Sequence, residues 1–306
     1  MQATIRGRAN LQVGPTSLEQ GVIAAHDGSA LFSFGPTTSL ATLSGPMEVR
    51  LRDELTDRAA LDVNLTPLQG VPGVACTSFG QALHDLFASV VLLHLYPRAL
   101  LQLNVQTYAR PPARLLRGDK LVQETRPDPD RTPGLAERAA HINAASLALL
   151  DARTPMRATV VAICACYVPR GTRRLLDRSA WRPDSAATNP SQGLKTDGTM
   201  MDVDGDVAQE LGQEQEQEQE LDGDKDLVLD PSPAEEALSR SGFLFAFAIS
   251  GAKPLNGDEG GAGSADVVLS QSSGRFSLKE HTAAMKVCRQ ASRQLMAKFR
   301  ESIQTV

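Results

Sequence analysis

The chain reads as an α+β protein in which helices are layered on a mixed sheet, with disordered insertions between the layers. Three observations predict this. The first fifty residues alternate apolar and polar in short runs cut by turn pairs. Two later stretches switch to helical spacing, each followed by an apolar strand pattern. The last thirty residues form a capped amphipathic helix.

In chain order, Gly21 to Ala25, Ala30 to Phe34, Ser39 to Ser44 and Met47 to Leu51 are strand-like, and Asp27-Gly28, Gly35-Pro36 and Gly45-Pro46 separate them as turns. They predict an antiparallel meander. Phe79, Leu83, Leu86/Phe87 and Val90/Val91 then predict a helix over Ser78 to Leu95, ended by Pro97 and followed by a strand at Leu100 to Tyr108. From Leu135 to Asp151 small Ala and Ser residues fill much of one stripe, which lets a helix lie close against a sheet. Pro155 stops it, and Arg157 to Val168 runs on as a strand. Asn143 and Ser146 are expected to hydrogen-bond within the core. Leu227 to Leu229, Phe243 to Ile249 and Val267 to Leu269 supply further strands. Ser277 and Glu280 form a capping box for the last helix. Its apolar stripe is Leu278, Met285, Cys288, Ala291/Ser292, Leu295 and Phe299, and Arg and Lys line the opposite side.

A hydrophobic share of 42% in 306 residues supports a substantial core, expected here as one domain over 1–306. No apolar run approaches the roughly 20 residues of a membrane span, and the N-terminus lacks a secretory apolar segment. Cys76, Cys164, Cys166 and Cys288 are too scattered for a disulfide framework and are expected to be buried thiols in an intracellular protein. Inserted segments are expected at about 110–134, 169–226 and 251–265. The second holds the Gln/Glu alternation of 213–220, with too little apolar surface to offset the entropy of ordering, and is expected to be disordered. Between Asp197 and Asp226 lie twelve acidic residues and one basic residue. Without them the rest carries a net charge of +6, which permits a polyanionic partner.

The text His141-Ile142-Asn143-Ala144-Ala145-Ser146-Leu147-Ala148-Leu149-Leu150-Asp151-Ala152 resembles the hallmark helix of RNase PH-type proteins. Arg153 and Thr154 stand where that family usually has Gly and Ile. Asp27-Gly28-Ser29-Ala30 with Gly35-Pro36-Thr37-Thr38, and Gly45-Pro46-Met47-Glu48-Val49, resemble its opening strands. Leu95-Tyr96-Pro97-Arg98, Leu227-Val228-Leu229-Asp230-Pro231-Ser232 and Phe299-Arg300-Glu301-Ser302 resemble one branch, the non-catalytic RNase PH-like subunits of the eukaryotic RNA exosome ring. The resemblance implies an RNase PH-type fold (ribosomal protein S5 domain 2-like).

Active members of that family degrade RNA from the 3′ end with inorganic phosphate as the attacking group. The chemistry needs a cation cradle for the phosphate and acids that hold a metal ion or manage the proton on the leaving oxygen. Counting back from Asn143 puts Ala136-Glu137-Arg138 at the family's Gly-[Ser/Thr]-Arg cradle. Arg138 matches, but Glu137 replaces a hydroxyl and sets a carboxylate beside the phosphate, a repulsion of about 1 to 4 kcal/mol at close range. The family's paired aspartates fall on Glu236 and Gly242, and glycine can neither ligate a metal nor move a proton. The resemblance therefore implies no catalysis, no cofactor and no metal. It implies a scaffold that leads RNA through a ring, partnered by other RNase PH-like subunits, S1/KH-type cap subunits and a hydrolytic exoribonuclease. The expected location is the nucleus and nucleolus, and also the cytoplasm. Arg98, Arg110, Arg114 and Arg117 are candidate RNA contacts beside Arg138. The alternative is an active phosphate-dependent 3′-to-5′ exoribonuclease in which Glu236 does both acidic jobs.

Elsewhere the sequence offers little. His26, His84, His94, His141 and His281 show no metal spacing. Aromatic residues make up 4% of the chain, too few to stack bases in an RNA-binding protein acting alone.

Overall fold

The computed structural model describes residues 13–112, 132–169, 225–250 and 265–304, with residue 11 and the stretches 114–117 and 120–123. Strands β1 (Thr16–Gln20), β2 (Gly28–Phe34), β3 (Thr37–Glu48), β4 (Ala60–Thr66) and β5 (Ala99–Ala109) form one sheet in the order β1-β2-β3-β5-β4. It is antiparallel except that β4 runs parallel to β5, and α1 (Val74–Val90) lies between those two strands in sequence and packs on β4. A short hairpin, β6 (Arg114–Arg117) with β7 (Lys120–Gln123), follows. Next come α2 (Leu135–Asp151), β8 (Thr159–Pro169), β9 (Lys225–Leu229), α3 (Pro233–Leu238), β10 (Ser241–Ile249), β11 (Ala265–Gly274) and α4 (Leu278–Gln304). The second sheet, β11-β10-β8-β9, is antiparallel throughout.

The helix α2 touches β2, β3 and β5 of one sheet and β8 and β10 of the other. Its composition makes this possible. Ala139, Ala140, Ala144, Ala145 and Ala148 are fully buried, and their small side chains let both sheets close on the helix backbone. Gly28 opens β2 where the approach is tightest, since a Cβ there would lie 2.3 Å from the Ala148 carbonyl oxygen. The next residue is fixed by the helix end, the Ser29 N–H donating to Asp151 Oδ2 at 2.8 Å.

Asn143 solves a second problem. The strand β9 pairs with β8 only from Ala165 onward, so the backbone of Ala162 has no strand on that side. The Ala162 N–H donates to Asn143 Oδ1 at 2.7 Å, and Asn143 Nδ2 donates to the Ala162 carbonyl at 2.9 Å. A side chain from the helix thus completes the ladder where the strand is missing. The expected partner of Ser146 is not found: its hydroxyl is buried with no hydrogen bond among the described residues.

The α+β class expected from the sequence is what forms, with the helices layered on two main sheets, the first mixed and the second antiparallel. Several finer expectations need correction. The first strand is Thr16–Gln20, not Gly21 to Ala25, because Gly21 takes a left-handed φ of 66° and turns the chain. The turn expected at Gly45-Pro46 is a bulge inside β3, with pairing to β5 shifting register between Ser44 and Met47. The strand β4 was not expected, nor the hairpin within 110–134. Segments 170–224 and 251–264 lie outside the described residues. The capping box of α4 forms, Ser277 N–H donating to Glu280 Oε2 at 2.7 Å and Glu280 N–H to Ser277 Oγ at 3.2 Å. Leu278, placed on the apolar stripe, is instead 78% exposed in the first turn, while Cys288, Leu295 and Phe299 are buried. All four cysteines are buried thiols outside any disulfide among the described residues, and burial raises the Cys164 and Cys288 thiols above their usual range.

Replacing Asn143 with Leu keeps similar bulk but strands two buried backbone groups. Urea unfolding should show a loss of roughly 2 to 5 kcal/mol. A loss below about 1 kcal/mol would mean that the Ala162 edge finds other partners.

Candidate functional site

The first turn of α2 leaves backbone N–H groups without intrahelical partners at the positive end of the helix dipole, a natural anion site. Here the chain's own carboxylates fill it. The short helix α3 starts at Ser232, whose amide and hydroxyl both donate to Glu235 Oε2, at 2.8 and 2.7 Å, and Pro233 stiffens its first turn. That geometry turns Glu236 back onto α2, where its Oε1 accepts the Leu135 N–H at 3.0 Å. Gly134 permits the approach, since a Cβ there would stand 2.9 Å from Glu236 Oε2. The carboxylate sits at the helix end where an external anion would bind.

Glu137 behaves differently from the sequence expectation. It does not stand in an open cradle but folds inward and is 7% exposed. Its Oε1 accepts the Thr107 hydroxyl at 2.6 Å. Its Oε2 accepts the Gly134 N–H at 3.4 Å and lies 3.8 Å from Arg110 Nη1. Arg138 also points elsewhere, donating from Nε to the Pro133 carbonyl at 2.9 Å and from Nη1 to Gln271 Oε1 on β11 at 3.2 Å. Burial lowers its pKa, opposed by the charge of Glu236. One cavity here, lined by Thr37, Arg110, Gly134, Ala136, Glu137 and Glu236 among others, measures about 40 Å³, and a second of about 240 Å³ adjoins it at Thr37, Ala136, Pro231 and Pro233. The first has room for a few waters.

Gly242 lies on β10 directly beneath the start of α2. A Cβ at this position would meet Leu135 Cδ1 at 2.6 Å and Ser273 Oγ at 3.1 Å. The leucine occupies the space that a second acidic side chain would need.

Of the candidate arginines, Arg110 and Arg138 lie near the start of α2 and Arg98 does not. Arg98 and Arg110 flank β5 at opposite ends, on the order of 40 Å apart at about 3.3 Å per residue. Arg98, at a left-handed φ of 60°, pairs with Glu54 at 3.3 Å. The backbones of Arg114 and Arg117 lie on β6, which packs on α3. Among the described side chains, Arg110, Arg138, Glu137 and Glu236 come together around the start of α2, beside Gly242.

A buried polar chain beside this cluster escaped the sequence reading. His141, one turn after Glu137, is 1% exposed. Its Nδ1 lies 2.7 Å from Ser39 Oγ and its Nε2 lies 3.3 Å from Thr107 Oγ1. Burial lowers its pKa to about 4, so it is neutral and its 4.0 Å approach to Glu137 is not an ion pair. The i,i+4 spacing of Glu137 and His141 was visible in sequence. The facing positions of Ser39 and Thr107 become visible only once the β3–β5 register is known.

Residues 12–155 match the model of the 3′ exoribonuclease family, domain 1, that is, RNase PH. The exosome complex component rrp46 of Schizosaccharomyces pombe is 29% identical over 132 residues, covering 43% of this chain and 49% of that protein. The chain thus spans about half the length of the curated relatives it matches. The crystal structure of rice (Oryza sativa) Rrp46 superimposes with a TM-score of 0.62 at 19% identity, over 98% of this chain and 99% of that one. A chain of the Archaeoglobus fulgidus exosome with RNA bound to the active site gives 0.56 at 14% identity, over 96% and 92%. The fold is that of RNase PH. Over residues 12–155, just under half of its length, the chain is similar in sequence to the RNase PH family.

His141 makes stability depend on pH. Between its ordinary 6.5 and about 4, the unfolded chain binds a proton that the folded chain refuses. This contribution is complete above pH 6.5 and is lost as pH falls toward 4. Between pH 7 and 5, urea midpoints should fall further for wild type than for His141→Gln. Equal falls would contradict a neutral buried His141.

Proposed function

We propose that this chain is a non-catalytic ring subunit of an RNA exosome core, a scaffold for 3′-to-5′ RNA processing and decay. The observation that carries the reading is the start of α2, where Glu236 accepts the Leu135 N–H and Leu135 fills the space above Gly242. Phosphorolysis needs an anion bound at this helix end and an acid opposite it. In this chain the anion position holds a carboxylate and the acid position holds leucine. The rrp46 match supports an exosome component, and an RNase PH fold without working chemistry is explained if the selected property is the contact with neighbours. The partners under this proposal are other RNase PH-like ring subunits, S1/KH-type cap subunits, a hydrolytic exoribonuclease and RNA.

In the alternative, an active phosphate-dependent exoribonuclease, Glu236 would have to leave the helix terminus that it caps and serve as the only acid. Purified chain, incubated with RNA, phosphate and magnesium, should release no nucleoside diphosphate. In cells it should co-purify with related RNase PH-like subunits. Phosphate-dependent shortening that disappears in Glu236→Gln would establish the alternative, and a stable, solitary monomer in cell extracts would remove the scaffold reading.

A further inference from the structure

The helix α4 carries a feature that neither the core nor the candidate site uses. Lys279, Lys286, Arg293 and Arg300 recur every seven residues, and Arg289 sits one turn after Lys286 on the same side. At about 100° and 1.5 Å per residue, the five lie within an arc of about 80° along roughly 32 Å of helix. All five are exposed, and none of their side chains has a hydrogen bond or ion pair among the described residues. Two other charges on this helix are held elsewhere, while Glu301 is exposed beside Arg300. Lys298 donates to Thr16 Oγ1 at 2.8 Å, and Glu280 is held by Ser277 and by Lys225 at 3.2 Å.

The residues exposed beside the stripe decide what kind of partner fits it. Ala283, Gln290, Gln294 and Ala297 are small or polar. Leu278 and Ile303, the large apolar side chains that α4 exposes, lie at its two ends, so a protein partner would find no aromatic or aliphatic anchor at the centre of the stripe, and such anchors carry most of the energy of protein interfaces. A phosphodiester backbone needs none. It presents a repeated charge, and guanidinium groups meet phosphates with paired hydrogen bonds.

We propose that the solvent face of α4 is a sequence-independent docking stripe for the RNA backbone, separate from the start of α2. The proposal rests on the reading of the chain as an RNA-handling ring subunit. Binding of the full chain to a labelled 20-nucleotide single-stranded RNA would be followed by fluorescence anisotropy between 50 and 200 mM salt. The variant carries Lys286→Gln, Arg289→Gln, Arg293→Gln and Arg300→Gln, and Arg289→Gln/Arg293→Gln alone provides a milder second variant. The fourfold variant should bind tenfold or more weakly, with a log–log salt slope smaller by about 3, and the double variant should fall between it and wild type. Unchanged affinity and slope would overturn the proposal. So would a polyglutamate peptide that binds wild type as tightly as RNA does and is lost in the same variant, because the stripe would then be an acidic-protein site. Co-purification of the wild-type chain with RNase PH-like partners, measured in parallel, reports on the ring reading alone.

Discussion

A helix enclosed between two sheets has to give both of them close contact, supply partners for whatever backbone they leave open, and dispose of its own terminal charge. The helix α2 meets all three demands, and the rest of the molecule is arranged around them. Its alanines bring the sheets in, Gly28 and Asp151 fix where β2 begins, and Asn143 stands in for the strand that β8 lacks before Ala165. Because the interior is close-packed, substitutions along α2 act on both sheets at once.

The third demand links fold to function. The start of α2 lies near the surface, where its free N–H groups need an acceptor. In an enzyme of this fold the same end would serve the reacting phosphate. In this chain Glu236 and Glu137 satisfy it from within, and the arginines that might have served the anion turn to Glu137, Pro133 and Gln271. Stability and phosphate binding compete for one helix terminus, and the geometry here favours stability. Under the proposed function the surfaces, including the face of α4, carry the work.

Much of this was legible in the chain. The hallmark helix, the strands on either side of it and the capped last helix follow from period, small residues and capping chemistry. Gly242 and Glu137 led to the expectation of an altered site, because residue type alone limits their chemistry. The manner of the alteration was not legible. That Glu137 turns inward depends on Thr107 lying opposite it across the β5–α2 contact, and that Gly242 is covered depends on Leu135, more than a hundred residues earlier in the chain. The strand β4 escaped notice because its alternation is short and its pairing parallel, so no turn signal joins it to its neighbour. Sequence distance hid what only register reveals.

The central claim is that the chain's own carboxylates occupy the anion site at the start of α2. Titrating inorganic phosphate into the purified full chain and reading heat or ³¹P line width tests it most directly. The account predicts no saturable binding to wild type at millimolar phosphate. Saturable binding in that range, abolished when Arg138 is replaced by Gln, would show the cradle open and contradict the account.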